Sequence, residues 1–141
     1  MLTKNTTHLK ITVPNGIFYE GDVEIVTLKT PSGYIGIQKG RSPLFSSIEI
    51  GVLTIGHSTD DNHIKCYIGG GLVYVEKDKV NIITDDIINI DNIDISRAQK
   101  DKENIEMVLS NNKDTIDILK LETKLKKTLY RIQSYNLYKK Q

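Results

Sequence analysis

The sequence predicts a β + α chain: an N-terminal β-sandwich, or flattened barrel, of about ten short strands followed by a C-terminal antiparallel α-helical hairpin. Two observations separate the parts. All 10 glycines and the 3 prolines lie at or before Gly71, and β-rich domains need such residues at their turns. Beyond about residue 92 the apolar positions pass from alternation to helical spacing. Charge divides the chain in the same way. Residues 1–95 hold 8 Lys and Arg against 12 Asp and Glu, a net of −4, whereas residues 96–141 hold 11 against 6, a net of +5. Residues 1–91 are read as the sandwich and residues 92–141 as the arm.

The strands follow in order. Leu9, Ile11 and Val13 alternate with Lys10 and Thr12, a period of two that buries one face. Val23, Ile25 and Thr27 alternate with Glu24 and Val26. Further strands are expected at Tyr34–Ile37, Leu44–Ile48, Val52–Gly56, Ile64–Ile68, Leu72–Val75 and Val80–Thr84. Turn material divides them: Pro14-Asn15-Gly16, Pro31-Ser32-Gly33, Gly40-Arg41-Ser42-Pro43, Asp60-Asp61-Asn62 and Lys77-Asp78.

Asp94 is placed to cap a first helix, with Ala98, Ile105, Val108 and Leu109 on one face. A polar break, Ser110-Asn111-Asn112-Lys113, precedes Asp114, which with Asp117 resembles a capping box. The second helix carries an apolar stripe of Ile118, Leu121, Leu125, Leu129 and Ile132. A two-helix hairpin has one narrow seam, and helices in proteins are held mainly by burying an apolar face. Such an arm rests on its own body or on a partner, which makes it a candidate two-position switch.

Chemistry is sparse. His57, His63 and Cys66 lack an evident fourth ligand, so no metal site is expected. No serine occupies a strand-to-helix elbow, and no catalytic residues are assigned. Gly69-Gly70-Gly71 runs into a strand rather than a helix N-terminus, so the glycines are read as a bulge or close approach. The acidic β part lacks a basic stacking platform for nucleic acid. A single cysteine fits a reducing compartment. Neither a signal peptide nor an apolar span long enough for a membrane is present, so membrane association is expected only through partners.

The order of three segments carries a resemblance. Gly33-Tyr34-Ile35-Gly36-Ile37-Gln38-Lys39-Gly40-Arg41-Ser42-Pro43-Leu44 is followed by Tyr67-Ile68-Gly69-Gly70-Gly71-Leu72-Val73-Tyr74-Val75 and by Ile93-Asp94-Ile95-Ser96-Arg97-Ala98. With the terminal hairpin, the chain resembles the epsilon subunit of bacterial F-type ATP synthase over nearly its whole length. The resemblance implies a non-catalytic central-stalk subunit on the cytoplasmic face of the bacterial membrane. Its partners would be the gamma subunit, the proteolipid ring and the alpha/beta catalytic head, and it would couple proton- or sodium-driven ring rotation to ATP synthesis. Its hairpin would restrain ATP hydrolysis.

By the same resemblance, Ser32, Gly33, Tyr34, Lys39, Arg41, Ser42 and Pro43 are partner-binding. Arg41 stands where the family often has histidine, which keeps a donor but fixes the charge. Ile93, Asp94, Arg97 and Ala98, with Lys127 and Arg131, match a family signature for ATP as a regulatory ligand. Two positions depart from that signature: Ile88 where an acid is expected, and Asn104 where an arginine is expected. The other readings are a free-standing nucleotide-sensing module and a nucleic-acid-binding module using the basic arm.

Overall fold

The computed structural model describes residues 5–111 and 115–139. The chain divides into two compact units, Met1–Ile88 and Asn89–Gln141. The first unit holds β1 (Thr7–Val13), β2 (Gly16–Val23), β3 (Val26–Thr30), β4 (Gly33–Ile37), β5 (Leu44–Ile55), β6 (Ile64–Glu76) and β7 (Lys79–Ile83), with β8 (Ile87–Asn89) at its end. Among the described residues there are eight strands rather than about ten, in the order β2-β1-β7-β6-β5-β3-β4, with β8 paired to β6.

Two of the differences come from glycine. Leu44–Ile48 and Val52–Gly56 merge into the single strand β5, and Ile64–Ile68 and Leu72–Val75 merge into β6. The glycines between them sit in paired strand: Ile48 opposes Gly71, and Ile50 opposes Gly69. Gly70 and Gly71 have φ of +100° and +156°, so the ladder continues while the strand changes course. A Cβ on Gly71 would stand 2.5 Å from the Ile83 carbonyl oxygen. The expected strand at Val23–Thr27 is also corrected. Its alternation straddles a break at Glu24–Ile25: Val23 closes β2 and Val26 opens β3.

The long antiparallel β5–β6 pair runs from β3 and β4 at one end to β7 and β1 at the other. Beside β7, β1 joins in parallel, with Leu9 opposite Val80 and Ile11 opposite Ile82. Inward residues of all these strands form one core, including Leu9, Ile11, Val26, Leu28, Ile37, Leu53, Ile68, Val73 and Ile82. This is the layered arrangement expected of alternating strands with one buried face.

Tyr67 is fully buried and donates to Asp86 Oδ2 at 2.8 Å. Gly69 leaves the room that carboxylate needs, because a Cβ there would lie 2.0 Å from Asp86 Oδ2. Its N–H also donates to the Asp86 carbonyl oxygen at 2.8 Å. The glycine triple is therefore a close approach of backbones, and Cys66 beside it is wholly buried.

In the second unit a short 3-10 turn, Ile90–Asn92, leads into α1 (Ile95–Asn111) and α2 (Thr115–Tyr138), which pack on one another. Ala98 is buried and Ile105 and Leu109 are half-buried, but Val108 is 47% exposed. On α2, Leu129 is also exposed at 42%, and its neighbour Thr128 is buried at 3%. The α2 seam therefore runs through Leu121, Leu125, Thr128 and Ile132, steps of 4, 3 and 4 that hold one face where the expected stripe drifted off it. Asp114, the expected cap of α2, lies outside the described residues. Among the described residues no helix is long and apolar enough to cross a membrane.

Candidate functional site

The residues expected to bind partners fall on two turns, each held by local hydrogen bonds. In the β3–β4 turn, Thr30 Oγ1 accepts the Ser32 N–H at 3.2 Å and donates to the Gly33 carbonyl at 2.9 Å. Gly33 has φ of +115°, a conformation that costs any residue with a Cβ. Tyr34 is 55% exposed, and its hydroxyl accepts the Val52 N–H at 3.3 Å across Gly51.

The second turn, Lys39 to Pro43, is exposed throughout. The Gly40 N–H donates to Asp78 Oδ1 at 2.8 Å, and the Arg41 N–H donates to the Gln38 carbonyl at 3.3 Å. These bonds hold the backbone while leaving the Arg41 and Ser42 side chains to solvent. The two turns sit at opposite ends of β4, separated by roughly 13 Å of strand at 3.3 Å per residue.

Sequence reasoning missed the outer face of the strands that follow. Phe45 is 70% exposed and meets Tyr74 edge-on, with ring centroids 6.3 Å apart. Register places Leu72 and Ile83 side by side in the adjoining row, and both are exposed, as is Ile17. The available signal was a strand apolar at every position: Leu44-Phe45, and Leu72-Val73-Tyr74-Val75. A strand apolar at every position has two apolar faces to cover.

The nucleotide-signature residues do not all come together. Asp94 Oδ1 accepts the Arg97 N–H at 3.0 Å, and the Asp94 carbonyl accepts the Ala98 N–H at 3.0 Å. Asp94 is thus the N-cap of α1. Ile93 and Ala98 are buried, as packing residues are. Lys127 and Arg131 instead line an open cleft between α1 and α2 of about 340 Å³. Asp101, Asn104 and Ile105 form its α1 wall, and Lys124, Lys127, Thr128 and Arg131 its α2 wall. Spacings of three and four residues put the three cations on one helix face. Thr128 turns its hydroxyl back to the Lys124 carbonyl at 2.9 Å. Asp94 and Arg97 are not among the lining residues.

Two titrations stand out in the first unit. His8 lies 2.8 Å from Glu20 Oε2 and 2.9 Å from Asp22 Oδ1, and these hydrogen bonds, Glu20's first, raise its pKa above the ordinary 6.5. Burial pushes the Cys66 thiol up to about 12. The histidines and cysteine do not gather. His63 Nδ1 lies 2.6 Å from the Asp60 carbonyl oxygen and His57 Nε2 lies 3.5 Å from Glu24 Oε2. Among the described residues no three His, Cys, Asp or Glu side chains are placed to hold a metal.

Residues 6–90 match the family model described as ATP synthase, Delta/Epsilon chain, beta-sandwich domain. The chain is 44% identical over 132 residues to the ATP synthase epsilon chain of Mycoplasmopsis synoviae, covering 94% of this chain and 96% of that one. It is 36% identical over 134 residues to the epsilon chain of Caldanaerobacter subterraneus, covering 94% and 96%. Among solved structures, it is similar in fold to a chain in the Euglena gracilis mitochondrial ATP synthase OSCP/F1/c-ring assembly. That match has a TM-score of 0.76 at 18% identity and covers 98% of this chain and 85% of the other.

Proposed function

The chain belongs to the ATP synthase epsilon-chain family, and we propose that it works as a non-catalytic rotor subunit whose hairpin restrains ATP hydrolysis under nucleotide control. The sandwich is the foot. It would hold the gamma subunit and the proteolipid ring at the cytoplasmic face of the membrane, so that ion-driven ring rotation reaches the alpha/beta head. What supports this most is the pair of stiffened turns at opposite ends of β4, one for each of two partners, beside the exposed Phe45–Tyr74 face. An apolar sheet face of this kind is protein-contact surface.

The hairpin is the brake. Met107, Leu119 and Leu137 are each more than 60% exposed, so the helices retain apolar surface to bury against the head. The cleft between them supplies three cations for phosphate oxygens. Because Asp94 already caps α1 through one oxygen, its other oxygen is what remains for a ribose or base. ATP bound there would tie α1 to α2 and favour the closed hairpin, releasing the brake only as far as its affinities for the two states differ.

Deleting residues 93–141 and assembling the complex tests this. Retained assembly with faster ATP hydrolysis is expected, and an unchanged rate removes the inhibitory role. Recovery of the native complex by gentle extraction tests the foot: gamma and the catalytic head should come with the chain. Calorimetric titration with MgATP tests the cleft, where Lys127→Ala and Arg131→Ala should each weaken binding about tenfold, the loss of one charge-assisted contact.

A further inference from the structure

We propose that Asp101 and Asn104 make the interhelical cleft selective for a polyphosphate carrying a divalent cation over the same polyphosphate free of metal. This rests on the reading of the cleft as a phosphate site and adds to it what the α1 wall does. The two walls differ in kind. α2 offers Lys124, Lys127 and Arg131, whereas α1 offers a carboxylate, an amide and the aliphatic Ile105. Asp101 and Asn104 are three residues apart and so share a helix face. Asp101 is half-buried rather than splayed into solvent.

Among the described residues, no ion pair within 4 Å joins Asp101 to Lys124 or Lys127. A free triphosphate seated on the α2 cations would therefore face a carboxylate across the cleft, and the like charges oppose each other. A divalent cation between them reverses the sign of that contact. The hard cation Mg2+ is held in proteins by one or two oxygen donors together with substrate phosphates, and it keeps several waters. Asp101 Oδ and Asn104 Oδ1 are the donors the α1 wall can provide, and phosphate oxygens and water complete the shell. Neither donor alone, nor both without phosphate, makes a metal site. Metal and nucleotide would then bind cooperatively, each tightening the other by the same factor.

The experiment uses the full chain and calorimetric titration with ATP, once with excess Mg2+ and once with EDTA, and with Mg2+ alone. MgATP should bind more tightly than free ATP by at least about fivefold, the low end of measured couplings between sites. Mg2+ alone should give little heat. Asp101→Asn should tighten free ATP and cut the metal preference to near unity. Asn104→Arg should do the same by placing a cation where the metal would lie. Equal affinity with and without Mg2+, or a preference that survives Asp101→Asn, overturns the inference while leaving the cleft a nucleotide site. Absence of binding to either form, in the wild type and in Asn104→Arg, removes the cleft reading itself.

Discussion

The two units are built to different standards of closure. In the sandwich, Leu9, Ile11, Leu28, Ile37, Leu53 and Ile82 are all completely buried. In the hairpin the leucines of the α2 seam are only half-buried, and its deepest side chains, ahead even of Ala98, are the small polar Thr128 and Ser134. A sheet whose strands pair on both sides carries its own core wherever it goes. Two helices alone share a single seam and leave the rest of each surface for something else. The difference is what the proposed foot and movable arm would require.

Truncations in the two seams should show the contrast most strongly. Leu53→Ala leaves a cavity in a closed core and should cost about 3 kcal/mol of global stability in urea titration. Leu125→Ala, in the half-buried α2 seam, should cost about 1 kcal/mol and act on hydrogen exchange of α1 and α2 alone. Equal costs would mean that the hairpin is as closed as the sandwich.

Gly69→Ala comes next. The new methyl meets Asp86 Oδ2 and pulls it from Tyr67, at a cost of about 2 kcal/mol for a buried bond and strain. Adding Asp86→Ala should recover part of that loss by emptying the space, and a strictly additive double mutant would show that the clash lies elsewhere. In the arm, Asp94→Ala removes the α1 cap and should lower helix stability by about 1 kcal/mol, read from the helical signal of residues 89–141 on heating.

The smallest effect is a dependence on pH. Because the folded pKa of His8 is raised, its clasp with Glu20 and Asp22 stabilises fully below pH 6.5 and is lost as pH rises through the folded value. The wild type should therefore exceed His8→Gln in melting temperature at pH 5.5, and the gap should close toward pH 8. A gap that widens with pH reverses the sign of the argument. Cys66, with its thiol near 12, should resist thiol reagents at pH 8 until the sandwich unfolds.

Much of this was readable along the chain. The Lys77-Asp78 turn appears with both residues at positive φ, 49° and 59°, the twist a tight hairpin requires. Asp94 appears as the cap. β2 was not readable. Only Val23 of its eight residues is buried, and the half-buried positions that alternate toward it, Tyr19 and Gly21, do not make an aliphatic row. In the cleft, Lys127 and Arg131 were identified, but Asp101, Lys124 and Thr128 were not, because a helix face shared with a second helix is not visible in one helix's own spacing.

What the sequence determined by itself is whatever short-range physics decides. Glycine and proline confined to one part, alternation against helical periodicity, and a capping aspartate before an apolar run each act within a few residues. Only tertiary structure decided that Gly69, Gly70 and Gly71 belong inside a strand and that Thr128 rather than Leu129 faces α1. In each case the deciding neighbour is distant in the chain: Asp86 for Gly69, Ile83 for Gly71, and the α1 helix for Thr128. A local pattern records what a residue prefers, and the contact it must make is set by the partner that folding brings beside it.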